Sequence, residues 1–290
     1  MSCNEEKPLV TVYIPTRNRS ELCKRAINSV LCQDYENFEI IVVDDASSID
    51  EYNELLREFD GQKNVSFLRT NSSQGACFCR NLAIKNANGH FITGLDDDDY
   101  FEPDRLKQFV ASWKASDSFL YTESKVRGRR GTKITSRPEM IDFCDLLVSN
   151  SVGNQIFSLR RNFIEVGCFD VQLPAWQDYD LWLRMAYFFG PGRKVNAVTY
   201  VMDISHEEDR ISKKIDRISV AKDYFIKKYT NLNYVTKAQA FCFQHSFNNY
   251  PGVRIRDVNW TRYLNNTYFT VGCRLMAKKL FELFGFEIFS

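Results

Sequence analysis

The first hundred residues alternate between short apolar runs and longer stretches in which apolar residues recur at helical spacing. The run at 38–43 is apolar at nearly every position, which is typical of a parallel strand covered on both faces. Four such runs of apolar or β-branched residues predict strands at 9–14, 38–43, 65–68 and 91–95. Three stretches with helical spacing lie between them, at 21–32, 51–59 and 75–86. This order predicts an α/β fold with a doubly wound, Rossmann-like sheet and helices on both faces.

Residues with strong local preferences mark the boundaries of several predicted elements. Ser20 is placed to cap the first helix, and Asp180 is placed as a cap or first-turn acid of a helix over residues 181–189. The stretch 127–137, RGRRGTKITSR, is basic and interrupted by glycine, so it predicts an exposed loop. Beyond residue 204 the sequence predicts helices at 216–229 and 234–248.

Three predicted strands end in polar or acidic residues. Thr16 follows the first strand, Asp44 and Asp45 follow the second, and an acidic run at 96–99 follows the fourth. In open α/β sheets, ligands bind in the crevice outside the carboxyl ends of the strands. These side chains are therefore predicted to meet around one ligand.

Composition narrows the classes of partner. The 290 residues carry 38 Lys and Arg against 37 Asp and Glu, a net charge of +1, which lacks the basic excess of nucleic-acid binding. The nine cysteines are odd in number and lie mostly in apolar or helix-like segments, so we interpret them as reduced thiols of a cytoplasmic protein. No leader-like segment and no apolar run of about 18 residues occurs, so neither export nor a membrane span is expected.

The acidic run LDDDD at 95–99 is the strongest chemical signal. Four adjacent carboxylates repel one another, and a hard divalent cation such as Mn²⁺ or Mg²⁺ would relieve that repulsion. In extended geometry Asp96 and Asp98 share one side, and Asp97 and Asp99 share the other. The alternative is a solvated acidic turn in which Asp99 or Glu102 caps the next helix.

Five segments in order resemble the motif series of the family 2 glycosyltransferases. They are IPTRNR at 14–19, VVDDAS at 42–47, QGACFCRN at 74–81, GLDDDD at 94–99 and WQDYDLWLR at 176–184. The resemblance implies a GT-A catalytic domain over residues 1–212 and leaves a helical C-terminal extension over residues 213–290. It implies inverting, metal-dependent transfer from a UDP-sugar donor to a hydroxyl of a saccharide, free or lipid-linked, as in bacterial O-antigen and polysaccharide synthesis.

The resemblance also implies a donor site. Asp45 would hydrogen-bond the uracil with Asp44 beside it, and Thr16 would contact the base or ribose; helix capping is the alternative for either aspartate. Asp96 would face the ribose, and Asp98 would bind the metal that bridges the phosphates. The acidity of Asp97 and Asp99 leaves the choice of ligand open, and Asp97 joins the donor set. Arg80 would stabilise the donor phosphate or the aspartates, with a structural ion pair as the alternative.

On the acceptor side, the resemblance makes Asp178 the catalytic base. Gln177 stands where the family commonly has Glu, Trp176 would stack on a sugar unless it only packs, and Asn154 would line the acceptor region. His206 would touch metal or diphosphate unless it is structural. Arg210 would neutralise the diphosphate, and a solvated basic helix face is the alternative.

The segment 274–289 combines Lys278 and Lys279 with an apolar face. It could lie in the interface of an inner membrane on the cytoplasmic side, or dock on the catalytic domain or a second copy. Two other functions remain open from the sequence. One is a non-catalytic UDP-sugar-binding scaffold, and the other is a nucleotidyltransferase, for which no glycine-rich phosphate loop is found.

Overall fold

The computed structural model describes residues 7–147, 150–205 and 215–230. Its strands are β1 (Val10–Thr16), β2 (Phe38–Asp44), β3 (Val65–Arg69), β4 (Phe91–Gly94), β5 (Tyr100–Phe101), β6 (Leu120–Gly128), β7 (Gly131–Ile134), β8 (Met140–Ile141), β9 (Phe157–Leu159) and β10 (Gly192–Asp203). Its helices are α1 (Ser20–Leu31), α2 (Ile49–Glu58), α3 (Ala76–Asn86), α4 (Arg105–Ser112), α5 (Phe143–Leu146), α6 (Arg160–Glu165), α7 (Gln177–Phe189) and α8 (Ile215–Thr230).

One mixed sheet organises these elements in the order β3-β2-β1-β4-β9-β6-β10-β5, with β7 beside β6 and β8 beside β10. The pairs β1–β2, β2–β3, β1–β4 and β6–β10 are parallel, while β9 runs antiparallel to β4 and β6. The predicted α/β fold is therefore confirmed. Because β1, β2 and β4 are neighbours and parallel, their carboxyl ends meet at one edge of the sheet.

Side-chain alternation explains why the run at 38–43 is continuously apolar. Ile41 and Val43 belong to the core beneath α3 and α7, whereas Ile40 and Val42 belong to the core beneath α1 and α4. Successive strand residues point to opposite faces, so a strand with a helix layer on each side needs apolar residues at both parities.

The start of α1 differs from the prediction that Ser20 caps it. The N-cap position is Arg19 without a side-chain cap bond, and Ser20 is the first helical residue. The backbone N–H of Ser20 donates to Glu51 and its hydroxyl donates to Glu54, both on α2. The capping prediction is wrong because carboxylates of the neighbouring helix satisfy this end of α1.

The basic stretch at 127–137 is also not the predicted loop. Its first part completes β6, turns, and returns as β7, with Arg127 opposite Thr132 and Gly128 opposite Gly131. Gly131 has a φ of 132°, a conformation that glycine tolerates best. The prediction of exposure is correct, since Arg127, Arg129 and the whole of β7 are exposed.

The described part of the C-terminal region is α8, which agrees with the helix predicted at 216–229. Its Phe225 and Tyr229 are buried, and Phe225 packs against Tyr179 of α7 with ring centroids 5.1 Å apart. Within the described residues, no helix combines the length and apolar character needed to cross a bilayer. The helix predicted at 234–248 and the segment 274–289 lie outside the described residues, and the boundary at 212 stays a prediction.

Candidate active site

A cleft of about 690 Å³ opens at the carboxyl ends of β1, β2 and β4. The predicted site residues that line it are Thr16, Asp45, Arg80, Asp96, Asp97, Asp98, Asn154, Gln177 and Asp178. They come from separate segments of the chain and the sheet brings them together. Asp44 and Trp176 are not among the lining residues, and His206 and Arg210 lie outside the described residues.

Asp45 fixes the loop that precedes α3. It accepts hydrogen bonds from the hydroxyls of Thr70 and Ser73 and from the backbone N–H groups of Gln74 and Gly75, at 3.2, 2.8, 2.6 and 2.9 Å. Burial disfavours the charged carboxylate, but these four bonds outweigh it and lower the pKa of Asp45. Asp45 therefore carries a negative charge at one wall of the cleft, and its contact with uracil stays a prediction.

Asp44 lies beneath that wall rather than in it. Its side chain is fully buried, accepts from the backbone N–H of Ser47 at 3.1 Å, and lies 3.5 Å from Nε of Arg69. Helix capping is wrong for Asp44, because the N-cap of α2 is Ser48 and the N–H that Asp44 accepts from lies in the turn before the helix. The donor contact predicted for this residue has no access to the cleft in this structure.

The carboxylates of the acidic run face different partners. Asp96 accepts from Arg80 Nη2 at 2.8 Å and from the side-chain amides of Asn154 and Gln155, each at 3.1 Å. Asp99 accepts from the hydroxyl of Tyr200 at 2.7 Å and is only 2 % exposed. The run forms a turn in which Asp99 N–H donates to the Asp96 carbonyl at 3.0 Å, so the expected extended geometry is wrong. The turn is not the solvated one of the alternative, because Asp97 and Asp99 are buried, and the N-cap position of α4 is Asp104, which makes no side-chain cap bond.

Asp97 is buried against the first motif. Its Oδ2 accepts from the Thr16 hydroxyl at 2.8 Å and its Oδ1 lies 3.2 Å from Arg19 Nη1. Burial raises the pKa of Asp97 to about 7, although Arg19 and Thr16 oppose that rise. Thr16 thus anchors the acidic run. The ends of the predicted strands place Thr16 next to this run, but they do not predict the hydrogen bond between Thr16 and Asp97.

Asp98 retains access to the cleft, with 16 % of its side chain exposed. In the described part of the chain, no group of three or more Asp, Glu, His or Cys residues is placed to hold a metal ion. An ion such as Mg²⁺ or Mn²⁺ is commonly held by one or two carboxylates, with phosphate and water supplying the other oxygens, so such a cluster is not required. Asp96 and Asp98 both line the cleft, with 23% and 16% of their side chains exposed, and the choice of Asp98 as ligand stays a prediction.

Asp178 lies in the first turn of α7, where Trp176 at a φ of 61° precedes the helix. Gln177 and Asp178 line the cleft, and Asp178 Oδ2 accepts from Asn150 Nδ2 at 3.3 Å. Burial raises the pKa of Asp178, while the backbone N–H of Tyr179 and the charge of Arg80 lower it. A carboxylate with a raised pKa facing a ligand cleft has the properties of a general base.

Two neighbours on α7 have structural contacts instead. The ring of Trp176 packs edge-on against Phe225, with centroids 5.9 Å apart, so the packing alternative describes its observed contact. Asp180 is a first-turn acid as expected but not a cap, since it is fully buried and pairs with Arg184 and Lys228, each at 2.7 Å. Asp180 does not line the cleft.

Sequence reasoning missed several residues of the site. Arg19, Asn150, Gln155 and Tyr200 each contact a predicted carboxylate. Arg19 lies inside the first motif and could have been found there as a cation next to Thr16. The other three lie in segments without a charge pattern, and only the fold brings them into contact with the carboxylates of the cleft.

Residues 11–169 match the family model described as glycosyl transferase family 2. Among curated proteins, the chain is 35% identical over 226 residues to WcaA of Escherichia coli K12, named as a colanic acid biosynthesis glycosyl transferase, covering 74% of this chain and 79% of WcaA. It is 31% identical over 189 residues to TuaG of Bacillus subtilis 168, named for teichuronic acid biosynthesis, covering 62% of this chain and 72% of TuaG. A 30% identical uncharacterized glycosyltransferase of Rickettsia conorii is longer, and the chain covers 33% of it.

Solved structures share the fold. S. aureus TarS 1–349 in complex with UDP-GlcNAc superposes with a TM-score of 0.65 at 18% identity, over 82% of this chain and 71% of that one. The mannosyltransferase PcManGT of Pyrobaculum calidifontis, in complex with GDP-Man and Mn²⁺, gives 0.59 at 15% identity, over 98% and 89%. These likenesses show that the chain has the same fold as these enzymes. The chain belongs to glycosyl transferase family 2 and is a glycosyltransferase.

Proposed function

We propose that this enzyme transfers a sugar from a UDP-linked donor to a hydroxyl of a saccharide acceptor with inversion, using Asp178 as the general base. The observation that carries the proposal is that Asp45, Asp98 and Asp178, from three distant segments, line one cleft at the carboxyl edge of the sheet. The two alternative functions, a non-catalytic scaffold and a nucleotidyltransferase, do not require a carboxylate such as that of Asp178 next to the nucleotide site.

The donor half of the cleft is formed by the ends of β1, β2 and β4. Asp45 already accepts two hydrogen bonds on each oxygen, so it would accept an N–H of the base in exchange for one of its four protein donors. Asp96, held by Arg80, would accept from a ribose hydroxyl. A donor carrying UDP is supported by TarS, whose structure contains UDP-GlcNAc on the same fold. Because that similarity is a similarity of fold, the identity of the nucleotide is part of the proposal.

A divalent cation, Mn²⁺ or Mg²⁺, would be held by Asp98. It would neutralise the charge that develops on the leaving diphosphate. Asp98 fits because it lines the cleft and part of its carboxylate is accessible there, although the same carboxylate also lies 3.7 Å from Arg19 Nη1. His206 and Arg210 remain predictions for the metal and the diphosphate.

The acceptor half of the cleft lies at the start of α7. Asp178 would take the proton of the attacking hydroxyl, and Gln177 beside it would hydrogen-bond the acceptor through an uncharged amide. Asn154 lines the cleft and donates to Asp96 and Asp99, so its contacts are with the acidic run, and its place on the acceptor side is part of the proposal. A saccharide acceptor is supported by relatives named for colanic and teichuronic acid biosynthesis. A lipid-linked acceptor, and contact of the enzyme with the cytoplasmic face of the inner membrane, are further parts of the same proposal.

The proposal is tested with a panel of UDP-sugars and Mn²⁺, measuring UDP release with saccharide acceptors and UDP affinity by calorimetry. Asp178→Asn should reduce transfer at least about a thousandfold, because it removes the proton acceptor, and should leave UDP affinity within about threefold. The matched control is Asp60→Asn. Asp60 is exposed and follows the end of α2.

Three outcomes contradict parts of this proposal. Wild-type transfer by Asp178→Asn would remove Asp178 from its role. UDP binding by the wild-type enzyme without transfer or donor hydrolysis would favour the scaffold. Release of pyrophosphate instead of UDP would favour the nucleotidyltransferase.

A further inference from the structure

The segment 150–155 joins the two halves of the cleft. At its start, Asn150 Nδ2 lies 3.3 Å from Asp178 Oδ2. At its end, Asn154 and Gln155 donate to Asp96, each at 3.1 Å. One short stretch of chain therefore contacts both the carboxylate assigned as base and the acidic run on the donor side.

Contacts with rigid parts of the fold hold this segment in place. Trp182 Nε1, on α7, donates to the carbonyl of Gly153 at 2.8 Å, and Arg137 Nη1 donates to the carbonyl of Ser151 at 3.3 Å. Gly153 has a φ of 97°, and a Cβ on it would lie 2.5 Å from the guanidinium of Arg137. The site at 153 thus accepts glycine and little else, which fixes the path of the chain next to Asn150.

The two ends of the Asn150 amide have different tasks. Its Oδ1 accepts from the backbone N–H of Gly153 at 3.2 Å, which closes the local turn. Its Nδ2 donates to Asp178 and lies 3.5 Å from the carbonyl of Gly153. The acceptor end therefore serves the loop, and the donor end points toward the carboxylate of α7.

We propose that Asn150 is a positioning residue for the base, orienting the carboxylate of Asp178 toward the acceptor hydroxyl and stabilising its charged form. The inference rests on the proposed function only through the role of Asp178. An amide donor fixes the rotation of a carboxylate, and a hydrogen bond to the charged form favours that form. Asn150 touches the base rather than the substrate in this arrangement.

The charge of Asp178 is also set by other groups around it. Arg80 of α3 lowers its pKa and Asp96 raises it, and Tyr179 donates its backbone N–H. The titratable groups that interact with Asp178 from β1, α3, α7 and the acidic run are Tyr13, Cys77, Arg80, Asp96 and Tyr179. Burial disfavours the ionised form of Asp178, and the neutral amide of Asn150 adds a hydrogen-bond donor that favours this form.

The variant Asn150→Asp separates the two ends of the amide. It keeps an oxygen that can accept from Gly153, but it loses the donor and adds a negative charge near Asp178. Both changes raise the pKa of Asp178, so the acidic limb of the pH profile of kcat/KM should move up by about one pH unit. UDP affinity should stay within about threefold of wild type.

The matched control is Asn64→Asp. Asn64 is exposed and precedes β3, at the amino edge of the sheet opposite the cleft. Asn64→Asp therefore adds the same charge far from the base. Its acidic limb should coincide with that of the wild type. Because the added charge alone raises the pKa of Asp178, the deciding variant is Asn150→Ala, which removes the donor and adds no charge. If Asn150 serves only the loop, the acidic limb of Asn150→Ala should coincide with that of the wild type, and the proposal would then be overturned.

A direct titration distinguishes failure of this proposal from failure of the proposed function. The protein is labelled with ¹³C at the aspartate carboxyl groups, the signal of Asp178 is assigned by its loss in Asp178→Asn, and its pKa is read by NMR. An upward shift of the Asp178 titration in Asn150→Ala supports the contact even if Asp178→Asn remains active. An unmoved titration in Asn150→Ala rejects the positioning role whatever the activity of Asp178→Asn.

Discussion

The carboxylate of Asp98 lies 3.7 Å from Nη1 of Arg19, and that same nitrogen lies 3.2 Å from Asp97. One guanidinium group therefore lies between two adjacent carboxylates at the mouth of β4. Such a cation lowers the repulsion between these two carboxylates. It also means that a divalent ion at Asp98 shares this carboxylate with Arg19.

The first prediction concerns Asp98. Asp98→Ala should remove the gain in UDP affinity that Mn²⁺ provides, a loss of about tenfold or about 1.4 kcal/mol, because the ion loses its protein ligand. Calorimetric titration with UDP in Mn²⁺ and in EDTA measures the difference. Asp60→Ala is the control, and an Asp98→Ala enzyme that keeps the full Mn²⁺-dependent gain would contradict the assignment.

Asp45 leads to a prediction about stability and binding together. Asp45→Asn cannot accept four hydrogen bonds, because its amide nitrogen meets N–H and O–H donors, so at least one buried donor loses its partner. The free energy of unfolding in urea should fall by about 1–3 kcal/mol at pH 7.

Since the pKa of Asp45 is lowered by folding, the stabilising effect of Asp45 should be retained above the ordinary carboxyl pKa and lost as the pH falls below it. An equal stability of variant and wild type at pH 7 would count against this role.

The pH dependence of transfer should report Asp178. Its folded pKa is raised, so kcat/KM should fall about tenfold per unit below a limb that lies above the ordinary carboxyl range. Arg80 lowers that pKa, and Arg80→Gln should therefore move the limb to higher pH. The position of the limb, not its height, is the relevant measurement, because Arg80 also holds Asp96. A limb that stays in place in Arg80→Gln would show that another group controls it.

Much of this arrangement follows from local sequence pattern. The apolar runs locate β1, β2 and β4, and parallel neighbours must present Thr16, Asp45 and the acidic run at the same edge. Asn150 and Tyr200 could not be found this way. Each is an ordinary polar residue far along the chain, and its place depends on how β6, β9 and β10 extend the sheet.

The wrong predictions have a common cause, which is competition from distant partners. Ser20 has the side chain of a cap, yet Glu51 and Glu54 of α2 take its donors. Asp44 has the charge of a binding residue, yet the turn at Ser47 and Arg69 bury it. Local preference decides an element's position, while tertiary neighbours decide what each polar side chain does.

Asp180 and Asp178 lie two residues apart on α7, and the same substitution should destabilise the protein much more at Asp180. Asp180 is fully buried and binds Arg184, Lys228 and the hydroxyl of Tyr229, so Asp180→Asn leaves two partly buried cations less compensated and should cost about 3 kcal/mol in urea unfolding. Asp178→Asn should cost less than about 1 kcal/mol, because burial already disfavours the charge of Asp178.

The difference in stability between Asp178→Asn and the wild type should depend on pH, because the pKa of Asp178 is raised in the folded protein. A folded pKa above the unfolded value means that Asp178 favours the fold at low pH and that this contribution is lost as the pH rises through the folded pKa. Asparagine cannot ionise, so the stability of Asp178→Asn relative to wild type should rise over that interval. If Asp180→Asn proves as stable as wild type, the ion pairs that attach α8 to α7 contribute nothing measurable.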